Sequence, residues 1–166
     1  MIRLPETCLK DLQELLASIR PQQVLILHPQ DDSVPDDFRN LQVTVDTDTF
    51  SGDKTPALLE HMQVYDVVLL AGFETLPRKS AKQLISRIRD FHAHHFLLLA
   101  DREKIEHGGD WSKNDFIALG LRLFRDYKDE GDVIVYRFEL SDYKTTPEWL
   151  NSRHWANPEL YGKYRW

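Results

Sequence analysis

The stretch Gln23-Val24-Leu25-Ile26-Leu27-His28-Pro29-Gln30-Asp31-Asp32 decides how this chain is read. Val24 to Leu27 is an apolar run too short for a helix, of the kind found in a strand buried on both faces. The turn behind it holds histidine, proline and aspartates, and no glycine follows until Gly52. In alternating α/β folds the turn after the first strand commonly holds the ligand, because glycine lets backbone approach it closely. Here a fold of that type is expected without its usual first turn.

Working outward, Leu9, Leu12, Leu15, Leu16 and Ile19 recur at helical spacing, so Glu6 to Ile19 reads as an amphipathic helix that Pro21 ends. Its Cys8 is the chain's one cysteine, expected as a small packed side chain; no intrachain disulfide can form. Pro29 to Asn40 is polar and acidic, with a single short turn of helix around Phe38 and Leu41. Val43 to Val45 begins a second strand with an acidic tip, Asp46 to Asp48. Ser51 to Asp53 is a turn, and Pro56 to Met62 a short helix capped by Thr55. Tyr65 to Ala71 is a buried strand closed by Gly72. Thr75 to Phe91 is the clearest helix, opened by Pro77, with Ala81, Leu84, Ile85, Ile88 and Phe91 as its apolar stripe.

Phe96 to Ala100 is the third buried apolar strand, and Gly108-Gly109 a loop. Ser112 to Tyr127 reads as one helix, with Ser112 as N-cap and Phe116, Leu119, Leu123 and Tyr127 facing inward. Val133 to Leu140 is a longer alternating strand, antiparallel to the others. Apolar strands separated by helices predict an α/β fold: a mostly parallel sheet between two helical layers. Val24–Leu27, Tyr65–Leu70 and Phe96–Ala100 should be adjacent, parallel and central. Ligands of such sheets bind at the carboxyl ends of strands where the strand order reverses. The candidate site is therefore His28 to Asp32, Asp46 to Asp48, Gly72 to Thr75 and Asp101 to Glu103.

From Tyr65 onward the order resembles class I S-adenosylmethionine-dependent methyltransferases. Tyr65-Asp66-Val67-Val68-Leu69-Leu70 resembles their fourth strand and Gly72-Phe73-Glu74-Thr75-Leu76 the turn that follows. Phe96 to Asp101 resembles the fifth strand, and Phe116 to Leu140 the closing helix and strands. Val24–Leu27 and Val43–Asp46 would be the first two strands, led by the helix Glu6–Ile19. The likeness implies a three-layer Rossmann-like domain over residues 1–142. It also implies a cofactor edge drawn from His28, Asp31, Asp46, Asp48, Gly72, Phe73, Glu74 and Asp101. In that family a glycine-rich loop wraps the methionine part of the cofactor, and an acid after the second strand binds ribose; Asp46 or Asp48 would be that acid. The His28-Pro29-Gln30-Asp31-Asp32 turn departs from the pattern, since proline fixes φ and removes a donor. The segment between the second strand and Tyr65 is also short for the usual set of strands. The ending Trp155-Ala156-Asn157-Pro158 … Tyr164-Arg165-Trp166 resembles a small family of uncharacterised bacterial proteins.

Other chemistry finds less support. A cation held by His28, Asp31, Asp32, Asp46, Asp48 and Asp101 competes with a plain solvated acidic loop, and the loop is the favoured reading. His92, His94 and His95 precede the third apolar strand, at the sheet end opposite the expected site. Asp101, Glu103 and His107 make at most an acid/base set. There is no Gly-x-Ser-x-Gly elbow. A receiver-like fold would need an acceptor aspartate where Ala71 stands. No catalytic residue and no metal ligand are assigned.

Net charge is −6, which argues against a general nucleic-acid binder. No signal-peptide core and no membrane span are legible, so the expected compartment is the cytoplasm. The segment 143–166 forms an aromatic tail with Trp149, Trp155, Trp166, Tyr161 and Tyr164, interleaved with Arg153, Lys163 and Arg165. It is expected to pack on its own domain, on a protein partner or on a second copy. The expected role is non-catalytic binding of a protein partner or small ligand, with no cofactor. The alternative is an active methyltransferase using S-adenosylmethionine through an atypical loop.

Overall fold

The computed structural model describes residues 4–28, 45–48, 63–107 and 110–139. The expected features in 29–44, 49–62, 108–109 and 140–166 lie outside the described residues: the acidic loop with Asp31, the short helix from Pro56, the double-glycine loop and the tail.

In chain order the elements are α1 (Glu6–Ile19), β1 (Val24–Leu27), β2 (Val45–Asp48), β3 (Tyr65–Ala71), a 3-10 turn (Phe73–Thr75) and α2 (Arg78–Arg87). A π turn (Ile88–His92), β4 (Ala93–Asp101), α3 (Arg102–Glu106), α4 (Lys113–Ala118), β5 (Arg122–Asp126) and β6 (Val133–Glu139) follow. Among the described residues the sheet has six strands in the order β2-β1-β3-β4-β6-β5. β2, β1, β3 and β4 are mutually parallel; β6 is antiparallel to β4 and to β5. The three apolar strands β1, β3 and β4 are thus adjacent, parallel and central, and the last strand is antiparallel, as the sequence leads one to expect. β2 is the outermost described strand on its side.

Period-2 alternation sends each central strand into two cores. Val24, Ile26, Val67, Leu69, Leu97 and Leu99 pack against α1, through Cys8, Leu12 and Leu16. Leu25, Leu27, Val68, Leu70, Phe96 and Leu98 pack against Ala81, Leu84 and Ile85 of α2 and Phe116 of α4. This makes the three layers. α1 ends at Arg20, whose left-handed φ of 54° lets its N–H reach Leu16 O before Pro21. Asp66 sets the start of β1: its Oδ2 accepts the N–H groups of Gln22 (2.7 Å) and Gln23 (3.0 Å).

Three boundaries differ from the sequence reading. The long helix is α2 plus a π turn, and β4 begins at Ala93, so His94 and His95 belong to the strand. The expected helix Ser112–Tyr127 is a six-residue helix followed by strand β5. Ser112 does cap it, with Ser112 N–H donating to Asp115 Oδ2 at 3.0 Å. Gly120 then stops it at φ 78°, with Gly120 N–H bonded to Ile117 O and Leu121 N–H to Phe116 O. That is the Schellman pattern, in which glycine takes the left-handed residue without strain. Beyond it the leucine spacing belongs to a strand, so Leu123 is exposed rather than inward, while Tyr127 is buried in the α1-side core.

Candidate functional site at the carboxyl edge

The strand order reverses at β1, with β2 on one side and β3 on the other. The register aligns the tips: Leu27 pairs with Asp48 and with Leu70, and Ala71 pairs with Leu99, two residues before Asp101. Asp48, at the last residue of β2, therefore stands at the edge beside the end of β1. Asp46 pairs with Leu25, two residues further back. Of the two acids expected to reach a ribose, Asp48 has the edge position.

β1 leaves the sheet through His28, which is buried with 3% exposure. His28 is the first residue after the strand, a position from which the fold commonly brings glycine backbone to a ligand. Asp31 lies outside the described residues.

β3 leaves by a different route. Gly72 adopts φ 72°, in the left-handed region. The chain then makes one 3-10 turn, with Thr75 N–H (3.3 Å) and Thr75 Oγ1–H (2.8 Å) both donating to Gly72 O. The turn drives Phe73 into the core, edge-on to Trp111 (5.1 Å, 89°) and Phe116 (5.9 Å, 87°). Phe73 is thus a packing residue, as is Trp111, whose burial the sequence reading did not single out. Gly72 serves the turn.

Glu74 is the unusual group of this edge. Its Oε1 accepts the backbone N–H of Asp101 at 2.6 Å, pinning the β3 turn to the end of β4. Its Oε2 is buried and has no hydrogen-bond partner among the described residues. Burial pushes the carboxyl pKa up to about 7, although the Asp101 N–H and nearby Lys104 pull the other way. Asp101 is itself committed as the N-cap of α3, accepting from Lys104 N–H at 3.4 Å. The expected acid/base trio does not assemble: Asp101 caps, and His107 donates only its backbone N–H, to Glu103 O. Among the described residues no cluster of three or more histidine, cysteine, aspartate or glutamate side chains is placed to hold a metal ion. Nor is any described helix long and apolar enough to cross a membrane.

The structure therefore brings His28, Asp48, Gly72, Glu74 and Asp101 to one edge, and turns Phe73 away from it. For S-adenosylmethionine the edge fits unevenly. Asp48 stands at the last position of β2, and the residue directly after β1 is a buried histidine where a glycine would let backbone approach the methionine end.

The fold has solved counterparts. The methyltransferase domain of the bacterial protein CtHen1-C is similar at 12% identity, over 80% of this chain and 96% of its own, with a TM-score of 0.50. Aeropyrum pernix fibrillarin, solved with natively bound S-adenosyl-L-methionine, is similar at 11% identity, over 78% of this chain and 74% of its own, with a TM-score of 0.44. No curated protein matches in sequence. The first likeness shows a class I methyltransferase-like, Rossmann-like fold. By sequence, the chain belongs to the family of unknown function DUF6231, whose family model matches residues 6–166.

Proposed function

We propose that this protein is a non-catalytic binding protein on a methyltransferase-like frame, taking a small ligand or a protein partner rather than S-adenosylmethionine. The observation that carries the reading is the buried His28 directly behind β1. At this point the methyltransferases' glycines let backbone meet the cofactor, and this chain has His28-Pro29 instead. Two further tip residues support it: Phe73 belongs to the core, and Asp101 caps α3. No chemical step is assigned to this edge.

A working methyltransferase with an atypical cofactor loop is the second reading, and Glu74 is what favours it. A carboxyl at a strand tip, pushed up to about 7 by burial and with one buried oxygen lacking a hydrogen-bond partner, has the properties of an acid/base group. Calorimetry with S-adenosylmethionine separates the two. The binding reading expects a Kd weaker than about 100 μM, or roughly −5.5 kcal/mol. Low-micromolar binding that Asp48→Ala or Asp46→Ala abolishes would overturn it and restore the enzyme.

A further inference from the structure

We infer that Glu74 is a pH-operated latch on the carboxyl edge: neutral, it ties the β3 turn to the end of β4; ionised, it swings out and frees the Asp101 N–H. The geometry carries this. The tie is one hydrogen bond, from Asp101 N–H to Glu74 Oε1 at 2.6 Å. The other oxygen, Oε2, is buried without a hydrogen-bond partner among the described residues. A neutral oxygen left unmet in such a place costs far less than a charged one.

The surroundings give that charge little support. Asp101 of β4 and Lys104 of α3 are the charged groups that bear on it. Asp101 has the same sign, and its Oδ1 caps α3 by accepting the Lys104 N–H. The Lys104 ammonium stands 3.7 Å from Asp101 Oδ2, so its charge is shared with that acid. Arg102, the first residue of α3, is turned to Glu106 and to Asp126 of β5. Burial accordingly pushes the Glu74 carboxyl up to about 7 from 4.5.

Release is local. The β3 turn closes on Gly72 O through Thr75 and holds Phe73 in the core, and neither contact passes through the Glu74 carboxyl. β4 keeps its pairing with β3 up to Leu99 and with β6 up to Asp101. Glu74 as a residue is only partly buried, so rotation of its side chain reaches water without moving the backbone. The sign follows from the raised carboxyl. Closure is fully favoured below pH 4.5 and is weakened as pH rises through about 7, by at most about 300-fold. Open, the edge presents a carboxylate and an unpaired backbone donor that the closed form withholds. This inference goes beyond the binding reading and holds whichever ligand the edge takes.

Amide hydrogen exchange by NMR tests it, from about pH 5 to about pH 8, each rate divided by that of an unstructured chain at the same pH. The expected result is that Asp101 N–H is less protected than Leu98 N–H in the same strand, which shows opening without unfolding. Its protection falls by at least about tenfold over that range. In Glu74→Gln, which accepts the same bond and cannot ionise, the protection stays level. In Glu74→Ala it is low at every pH, which serves if the glutamine variant loses its circular dichroism. A level wild-type profile, an equal fall in Glu74→Gln, full protection in Glu74→Ala, or Asp101 exchanging only as slowly as Leu98 would each overturn the inference.

Discussion

Two strands end at the same edge of the sheet, and the residues that follow them differ in kind. The turn after β1 begins with a buried imidazole and continues into proline, with no glycine. The turn after β3 begins with a left-handed glycine and closes at once on its own carbonyl. A glycine at a strand tip is easily taken as room for a ligand. At Gly72 the freedom is spent on turning Phe73 into the core and placing Glu74 on the Asp101 N–H. The comparison teaches that the methyltransferase-like frame is held at its β3 tip, while the sequence after β1 lacks the glycines from which those enzymes build a cofactor cradle.

The largest expected effect lies at the β3 turn. Phe73→Ala should cost about 3–5 kcal/mol, because a fully buried ring in contact with Trp111 and Phe116 leaves a cavity that rigid neighbours fill poorly. Urea unfolding monitored by circular dichroism measures it. A loss under about 1 kcal/mol would mean that the turn does not hold the frame.

Next comes Glu74. Its folded pKa, about 7 against 4.5 when unperturbed, is raised chiefly by burial, so the native state holds the proton more tightly than the unfolded chain does. The linked stability is fully present below pH 4.5 and is lost as pH rises through about 7. The whole swing is on the order of 3 kcal/mol. Glu74→Gln should flatten that part of the stability–pH profile and leave the variant more stable than the wild type at alkaline pH. A profile that keeps its slope would place the titration elsewhere.

A smaller loss, about 1–2 kcal/mol, is expected for Gly72→Ala from the left-handed backbone alone. Should thermal unfolding show no loss, the glycine would be free of the turn and available to a ligand, and the contrast between the two tips would fail.

Much of this contrast was legible in the sequence. Apolar runs at Val24–Leu27, Val67–Ala71 and Phe96–Ala100 force strands buried on both faces, and burial on both faces puts them in the centre of the sheet. The missing glycine after β1 was equally plain. What could not be read was the outcome of competing periods. Leu119, Leu121 and Leu123 suit a helix or a strand, and the Gly120 stop, sealed by Arg89 on the Leu119 carbonyl, decides for β5. Phe73 looked like a site residue because it follows a strand-end glycine; only tertiary packing with Trp111 shows which way it turns. Glu74 was placed at the edge correctly, but its raised pKa depends on burial that no local pattern encodes.

The central claim, that the β1 tip does not hold the cofactor of its fold, is tested most directly by an amide-resolved NMR titration with S-adenosylmethionine. The account predicts no saturable shifts at Leu27, His28 or Asp48 tighter than about 100 μM. Saturable low-micromolar shifts clustered on those three residues would contradict it and show a cradle built without glycine.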